Sequence, residues 1–360
     1  MRTEAHDGPL ERLVDDWQEL FDADDRATPF AAPGWIMPWW RDHGGTARPL
    51  TIKVLEGRRL VGLAPLAVRR QGPFRVLFGA GAGVGNYWDV LSAEPDREEV
   101  SRRVAAHVGA QSARWDAFLL DRCEAGSRLP AALAGQGLPM QRRAPTAFAL
   151  LTLPATFDAY VKTLSPKMRH EMRRAARQLD AGQFATREAR EPAEIADALA
   201  HWHRLRIRWW QERGRDMHAD HARPGFGRFA AEVMQELVPR GLGRVVELWH
   251  ADARVGVHLY LVGDATLYGW LTGFDTALLH RSPGPGVVEK VAAIRFCIET
   301  GRRLDFMIGQ ESYKYRFGAV DRWLPHLVVG NRRASSQVVL GALRWRDRKR
   351  RARAATAAAA

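Results

Sequence analysis

Three strand-length apolar runs, Val245 to His250, Arg254 to Val262 and Ala265 to Thr272, are separated only by the turn pairs Ala251-Asp252 and Gly263-Asp264. Turns this short join antiparallel neighbours, so the stretch predicts a β-meander. The period then changes: a Pro/Gly segment leads into a helical pattern from Val287 to Thr300 and a last apolar run, Leu304 to Ile308. Strand and helix patterns interleave, which makes this an α/β chain.

The same alternation runs through the preceding residues. Pro49 to Leu55 and Leu60 to Val68 read as a strand pair turned at Glu56-Gly57, Arg75 to Phe78 as a strand and Arg97 to Val108 as an amphipathic helix. Asp116 to Leu120 follows as a strand, Leu129 to Ala134 as a helix, and Phe148 to Leu153 as a strand closing the first half. The second half opens with helices at Thr156 to Leu164, Pro166 to Leu179, Pro192 to Arg213 and Gly225 to Pro239, with a strand near Phe184 to Glu188. Two matches suggest an internal duplication: Leu60-Val61-Gly62-Leu63 with Arg254-Val255-Gly256-Val257, and Trp115-Asp116-Ala117-Phe118 with Leu304-Asp305-Phe306. A length of 360 residues is enough for two domains.

Charge has to be located before it is interpreted. The formal net charge is +13, but nine Arg or Lys and one Asp lie from Asn331 onward, which leaves +5 for the first 330 residues. The basic tail, with Leu343 and Trp345 among its arginines, has the composition of a cationic helix for an anionic membrane face or RNA, and equally that of a solvated tail. Acidic residues and no apolar core at the start argue against a signal peptide, and no run approaches a membrane span, so a cytoplasmic protein, peripheral at most at the inner membrane face, is expected. Cys123 and Cys297 cannot build a disulfide framework, and no metal-ligand spacing is present, so no metal is expected.

Four segments carry residues suited to chemistry. Arg281-Ser282-Pro283-Gly284-Pro285-Gly286 follows a strand and opens a helix, where backbone N–H groups and the positive dipole end suit a pyrophosphate; an ordinary helix cap has the same composition. Asp305, Glu311, Tyr313, Lys314 and Arg316 follow the next strand and combine a base, a phenol and cations. Ser165 and Pro166 start a basic helix on which Lys167, Arg169 and Arg173 could bind a polyanionic substrate, or form a solvated face over Met168 and Met172. Asp89, after the glycine run Gly79 to Gly85, is a carboxylate that could serve an acceptor; that run lacks the features of a nucleotide loop. Tyr160, Trp209, Trp210, Tyr268 and Trp270 read first as core aromatics, with the lining of a cleft as the alternative, and His258 as a packed or edge histidine, with a ligand or base role as the alternative.

In their order, Gly62-Leu63-Ala64-Pro65-Leu66, Leu164-Ser165-Pro166-Lys167-Met168-Arg169, Ser282-Pro283-Gly284, and Phe306, Gly309 and Tyr313-Lys314 resemble the GNAT-fold acetyltransferases of the cellulose-biosynthesis CelD type. These are relatives of the FemAB aminoacyl transferases that build peptidoglycan cross-bridges. The resemblance covers about Phe30 to Val329 and departs from the family pattern at Pro285-Gly286. It implies two tandem GNAT-like domains, each a mixed, largely antiparallel sheet flanked by helices: residues 30–153, without an intact donor site, and 154–330, binding the donor, between a lead-in over 1–29 and the tail over 331–360.

The implied activity is transfer of an acyl group from acyl-CoA, acetyl-CoA first among donors, to an amine or hydroxyl of a small-molecule, glycan, cell-envelope or secondary-metabolite precursor. The donor would lie along Tyr268 and Trp270, with Arg281, Ser282, Gly284, Gly286, Lys314 and Arg316 around it. Asp305, Glu311, Tyr313, Lys314 and Asp89 are then the catalytic candidates, and Lys167, Arg169 and Arg173 the acceptor side. The alternatives are an aminoacyl-tRNA donor, and a non-catalytic adaptor for an anionic lipid or polymer.

Overall fold

The computed structural model describes residues 1–212, 225–278 and 282–345. The chain forms two compact units, Met1–Pro145 with Leu324–Ala360, and Thr146–Trp323.

The first unit begins with β1 (Arg2–His6), α1 (Val14–Ala23) and α2 (Pro33–His43). It continues through β2 (Arg48–Pro49), β3 (Thr51–Glu56), β4 (Arg59–Ala64), β5 (Leu66–Gln71) and β6 (Phe74–Gly79) to α3 (Arg97–Ala110), β7 (Ala117–Asp121) and α4 (Leu129–Gly135). A three-stranded antiparallel sheet, β1-β3-β4, accompanies a second sheet in which β5 and β6 are antiparallel and β6 and β7 run parallel, joined through α3. Val100, Val104 and Val108 of α3 pack on Ile52, Leu77 and Phe118 to form its core.

The next strand, β8 (Met140–Leu151), leads into the second unit. There follow α5 (Phe157–Thr163), α6 (Pro166–Asp180), β9 (Phe184–Ala189), α7 (Pro192–Glu212), α8 (Phe226–Leu237), β10 (Gly243–His250), β11 (Ala253–Val262) and β12 (Thr266–Phe274). After these come α9 (Pro285–Glu299), β13 (Arg303–Ile308), α10 (Ser312–Arg316) and β14 (Val320–Val329); a last helix, α11, occupies 334–345. The predicted meander is β10-β11-β12, and β12 and β13 are parallel, joined through α9. Val288, Val291 and Ile294 of α9 and Met168 and Met172 of α6 cover Tyr260, Leu267 and Leu304. The predicted start of α6 is as expected: Ser165 Oγ accepts from the Met168 N–H at 3.4 Å, and Pro166 sits at the first helical position.

Both units thus contain a hairpin, a strand, a helix and a parallel strand in the same order. The long β11 of the second unit corresponds to β4 and β5 of the first, which Pro65 interrupts because proline cannot donate to a ladder. The matched glycines are both sterically required: a Cβ on Gly62 would lie 2.3 Å from Val100, and one on Gly256 2.6 Å from the Phe274 ring.

One expectation is corrected. The strand beginning near Phe148 does not close the first half. It pairs antiparallel with β13, Leu151 opposite Leu304, and completes the second unit's sheet. The later half of β14, from His326, returns the exchange by pairing antiparallel with β7 in the first unit. Strand partners are chosen by non-local packing, which a local apolar pattern does not carry.

Candidate active site

The parallel pair β12 and β13 is short. Thr266, Leu267 and Tyr268 stand opposite Arg303, Leu304 and Asp305, and there the pairing ends although β12 continues to Phe274. At the same level β12 carries a bulge: Leu259 faces Leu271 and Tyr260 faces Gly269, which leaves Trp270 as the extra residue. A bulge beside the end of a ladder splays two strands and frees backbone groups there. Gly269 and Trp270 are half-exposed at this opening.

The loop after β13 is held against its own conformational preference. Met307 adopts φ 64°, rare for a residue with a side chain, and Gly309 follows at 110°. The Asp305 carboxylate, fully buried, accepts the Met307 N–H at 2.6 Å. Lys314, 2% exposed, donates through Nζ to the carbonyls of Met307 (3.2 Å), Ile308 (2.7 Å) and Gly309 (3.2 Å) and pairs with Glu311 at 2.8 Å. Asp305 and Lys314 therefore fasten the backbone where β13 leaves the sheet. Glu311 and Tyr313 are exposed, the Tyr313 ring meeting Phe306 edge-on at 6.4 Å.

Under α9 lies a second cluster, of which sequence reasoning singled out only His258. Glu289, buried, accepts from the Tyr260 hydroxyl on Oε1 and from Lys290 Nζ (2.6 Å) on Oε2, and His258 Nδ1 stands 3.1 Å from the same Oε2 and 3.3 Å from Lys290 Nζ. His258 stacks flat on Tyr260 with ring centroids 4.0 Å apart, and Lys290 lies 5.6 Å from the Tyr260 ring and 5.8 Å from Phe306. Burial pushes the Glu289 carboxyl up, but His258 and Lys290 outweigh it and hold the group below the ordinary carboxylate range. Burial, with Lys290 adding to it, depresses the His258 imidazole, against the pull of Glu289. The one available signal was Glu289-Lys290 standing in an otherwise apolar helical run, Val287 to Ile294.

Ser282, Gly284 and Gly286 lie where expected, before and in the first turn of α9, with Gly284 as its N-cap; Arg281 lies outside the described residues. Tyr268 is buried, and Trp270 packs edge-on against Phe229 of α8. Arg316 is engaged with α6 through Glu171 at 2.9 Å. On α6, Lys167 and Arg173 are exposed, whereas the guanidinium of Arg169 turns back to the Lys162 and Leu164 carbonyls at the end of α5. The expected cationic row is therefore shorter by one. Among the described residues no group of three His, Cys, Asp or Glu could hold a metal ion, and no helix is long and apolar enough to cross a membrane.

In the first unit, α3 occupies the position of α9, but its start is filled. Arg97 is buried there and bonds Asp24 (2.9 Å), Asp25 (2.8 Å) and Glu94 (2.5 Å). Asp89 also belongs to this unit. Its carboxylate accepts from Ser127 (2.5 Å) and the Val90 N–H (2.8 Å), and burial raises it to about 6 against those bonds.

A mixed α/β domain whose parallel strand pair splays at a bulge beside a crossover helix is a GNAT-like fold. Residues 166–315 match the model of the acetyltransferase (GNAT) domain. Of solved structures, FemX is similar over 91% of this chain and 97% of its own, with a TM-score of 0.63 at 9% identity. L-PGS from Bacillus licheniformis is similar over 95% and 97%, with a TM-score of 0.56 at 11% identity. The C-terminal domain of a putative lysylphosphatidylglycerol synthetase from Agrobacterium fabrum is similar over 93% and 97%, with a TM-score of 0.54 at 13% identity. No curated protein matches the chain.

Proposed function

We propose that the second unit transfers an acyl group from acyl-CoA to an amine or hydroxyl of a cell-envelope, polysaccharide or secondary-metabolite precursor. The observation that carries this reading is the opening between β12 and β13 beside the N-terminus of α9. An acceptor attacks the thioester carbonyl, a backbone N–H freed by the splay stabilises the oxyanion, and the thiol leaves. Main-chain groups around Ser282, Gly284 and Gly286 would take the pyrophosphate, aided by the helix dipole. Acetyl-CoA at 100 times its Kd is expected to stabilise the protein by about 2.7 kcal/mol, a rise readable in the melting temperature, and Gly284→Glu should remove most of it. An unchanged melting temperature at millimolar acetyl-CoA would contradict the reading.

A second donor, aminoacyl-tRNA, is favoured by one feature, the exposed Lys167, Arg173, Arg174 and Arg177 on α6. It predicts tRNA binding that weakens steeply with salt, and a log–log slope shallower by roughly 1.5 in Lys167→Glu with Arg173→Glu, at about 0.7–0.9 per phosphate contact. A slope unaffected by the pair would remove that route.

A further inference from the structure

Among the described residues, His258 Nε2 is buried without a hydrogen-bond partner, while Nδ1 lies 3.1 Å from Glu289 Oε2. A buried imidazole nitrogen without a partner costs free energy unless something else uses it. Its direction is informative. A Cβ built on Gly269 would stand 3.4 Å from Nε2 and 3.4 Å from the Asp305 carbonyl oxygen, so Nε2 is aimed at the point where β12 and β13 part. Gly269 leaves that space free of side chain and is itself half-exposed.

The His258 tautomer follows from how the Lys290 protons are used. Nδ1 lies 3.1 Å from Glu289 Oε2 and 3.3 Å from Lys290 Nζ, and Lys290 makes its short bond, 2.6 Å, to that same Oε2; we assign the Nδ1 proton to the nearer carboxylate, which leaves Nε2 with a lone pair. A carboxylate holding the far side of an imidazole in this way is the arrangement that orients a general base and stabilises its protonated form.

We infer that His258 is the general base of the transfer and that Glu289 is its positioning residue; this rests on the acyl-transfer reading above. The acceptor nitrogen or oxygen forms a bond to the thioester carbon, and the carbonyl electron pair moves onto oxygen. Nε2 takes the proton that the nucleophile loses. Collapse restores the carbonyl and breaks the carbon–sulfur bond, and the imidazolium returns the proton to the departing thiolate, giving acylated acceptor and free thiol. Burial keeps the imidazole neutral at pH 7, so it is available as a base. The titratable groups facing it are Glu289 and Lys290 from α9 and Tyr260 from its own strand; its cross-strand neighbours, Val246 and Thr272, add none.

The test measures thiol release from acetyl-CoA with hydroxylamine as the acceptor probe, alongside protection of the melting temperature by acetyl-CoA. His258→Gln is expected to lower protein-dependent release by about 100-fold or more while protection remains. Gly269→Ala, whose methyl group fits at van der Waals distance but fills the approach to Nε2, should lower release at least tenfold with the melting temperature little changed, and it serves if His258→Gln fails to fold. In the wild type, kcat/KM should fall on acidification through a pKa below the ordinary 6.5. His258→Gln should lose that limb and Glu289→Gln should shift it to lower pH, effects that a purely packing role would not produce. Release unchanged in His258→Gln or Gly269→Ala overturns the assignment. So does a wild type that acetyl-CoA protects but that releases no thiol, an outcome that leaves the donor reading intact; absence of protection fails that reading as well.

Discussion

Replacing Glu289 with Gln is expected to lower the unfolding free energy of the second unit by about 3–5 kcal/mol at pH 7, read as a lower urea midpoint. The carboxylate faces three donors, and one of them is the ammonium of Lys290, buried between the Tyr260 and Phe306 rings. An amide of the same shape still accepts a hydrogen bond but leaves that charge uncompensated, which is the costly case for a buried pair. Replacing both partners with apolar residues, Glu289→Leu with Lys290→Met, should recover most of the loss, because the desolvated charge disappears along with its partner. The pH dependence has a definite sign. The folded-state pKa of Glu289 is depressed, so the contribution is fully present above the ordinary value of 4.5 and declines as pH falls below it. If the double variant were no more stable than Glu289→Gln, the cluster would not be held by charge compensation.

Much of the second unit could be read locally. Short turns at Ala251-Asp252 and Gly263-Asp264 place β10, β11 and β12 beside one another, and the change of period after Thr272 marks α9, because each signal lies within a few residues of what it determines. The strand exchange was not legible. β8 looks like an ordinary closing strand, β14 is not among the expected strands at all, and nothing near Leu151 or Val329 says that their partners are Leu304 and Phe118.

The site divides in the same way. Asp305 and Lys314 were read as chemistry because of their residue types, yet they hold Met307 in a left-handed turn, a backbone conformation that no side-chain pattern announces. His258 and Tyr260 are two apart on one strand and therefore share a face, but they become a base and its stack only when a helix some 30 positions later delivers Glu289. A polar pair inside an apolar helix is the one trace such a cluster leaves in sequence, and it deserves weight equal to that given to glycine-rich loops.

In the first unit, Asp116→Asn should cost about 3 kcal/mol near neutral pH, of which about 2 kcal/mol disappears in acid. Asp116 precedes β7 and ties its own segment to two others: it accepts from the Arg75 N–H (2.8 Å) and guanidinium (3.0 and 3.2 Å) of β6, and from the Ser335 hydroxyl (2.6 Å) of α11. Burial pushes its carboxyl up, but the bonds from Arg75 and Ser335 prevail and hold it at about 2, against 3.8 for an unperturbed Asp. A depressed carboxyl contributes stability above the unfolded-state value and loses it as pH falls through the folded one, so this contribution, about 2 kcal/mol, fades between roughly pH 4 and pH 2. Because Arg75 is partly exposed and can be resolvated, the cost of Asp116→Asn belongs at the lower end of that for a broken buried pair. Ser335→Ala removes only one hydrogen bond and should cost about 1 kcal/mol, with a weaker pH dependence. Urea unfolding from pH 7 down to pH 2 separates these terms. A difference between wild type and Asp116→Asn that stayed constant across that range would mean that the residue acts through packing and not through its charge.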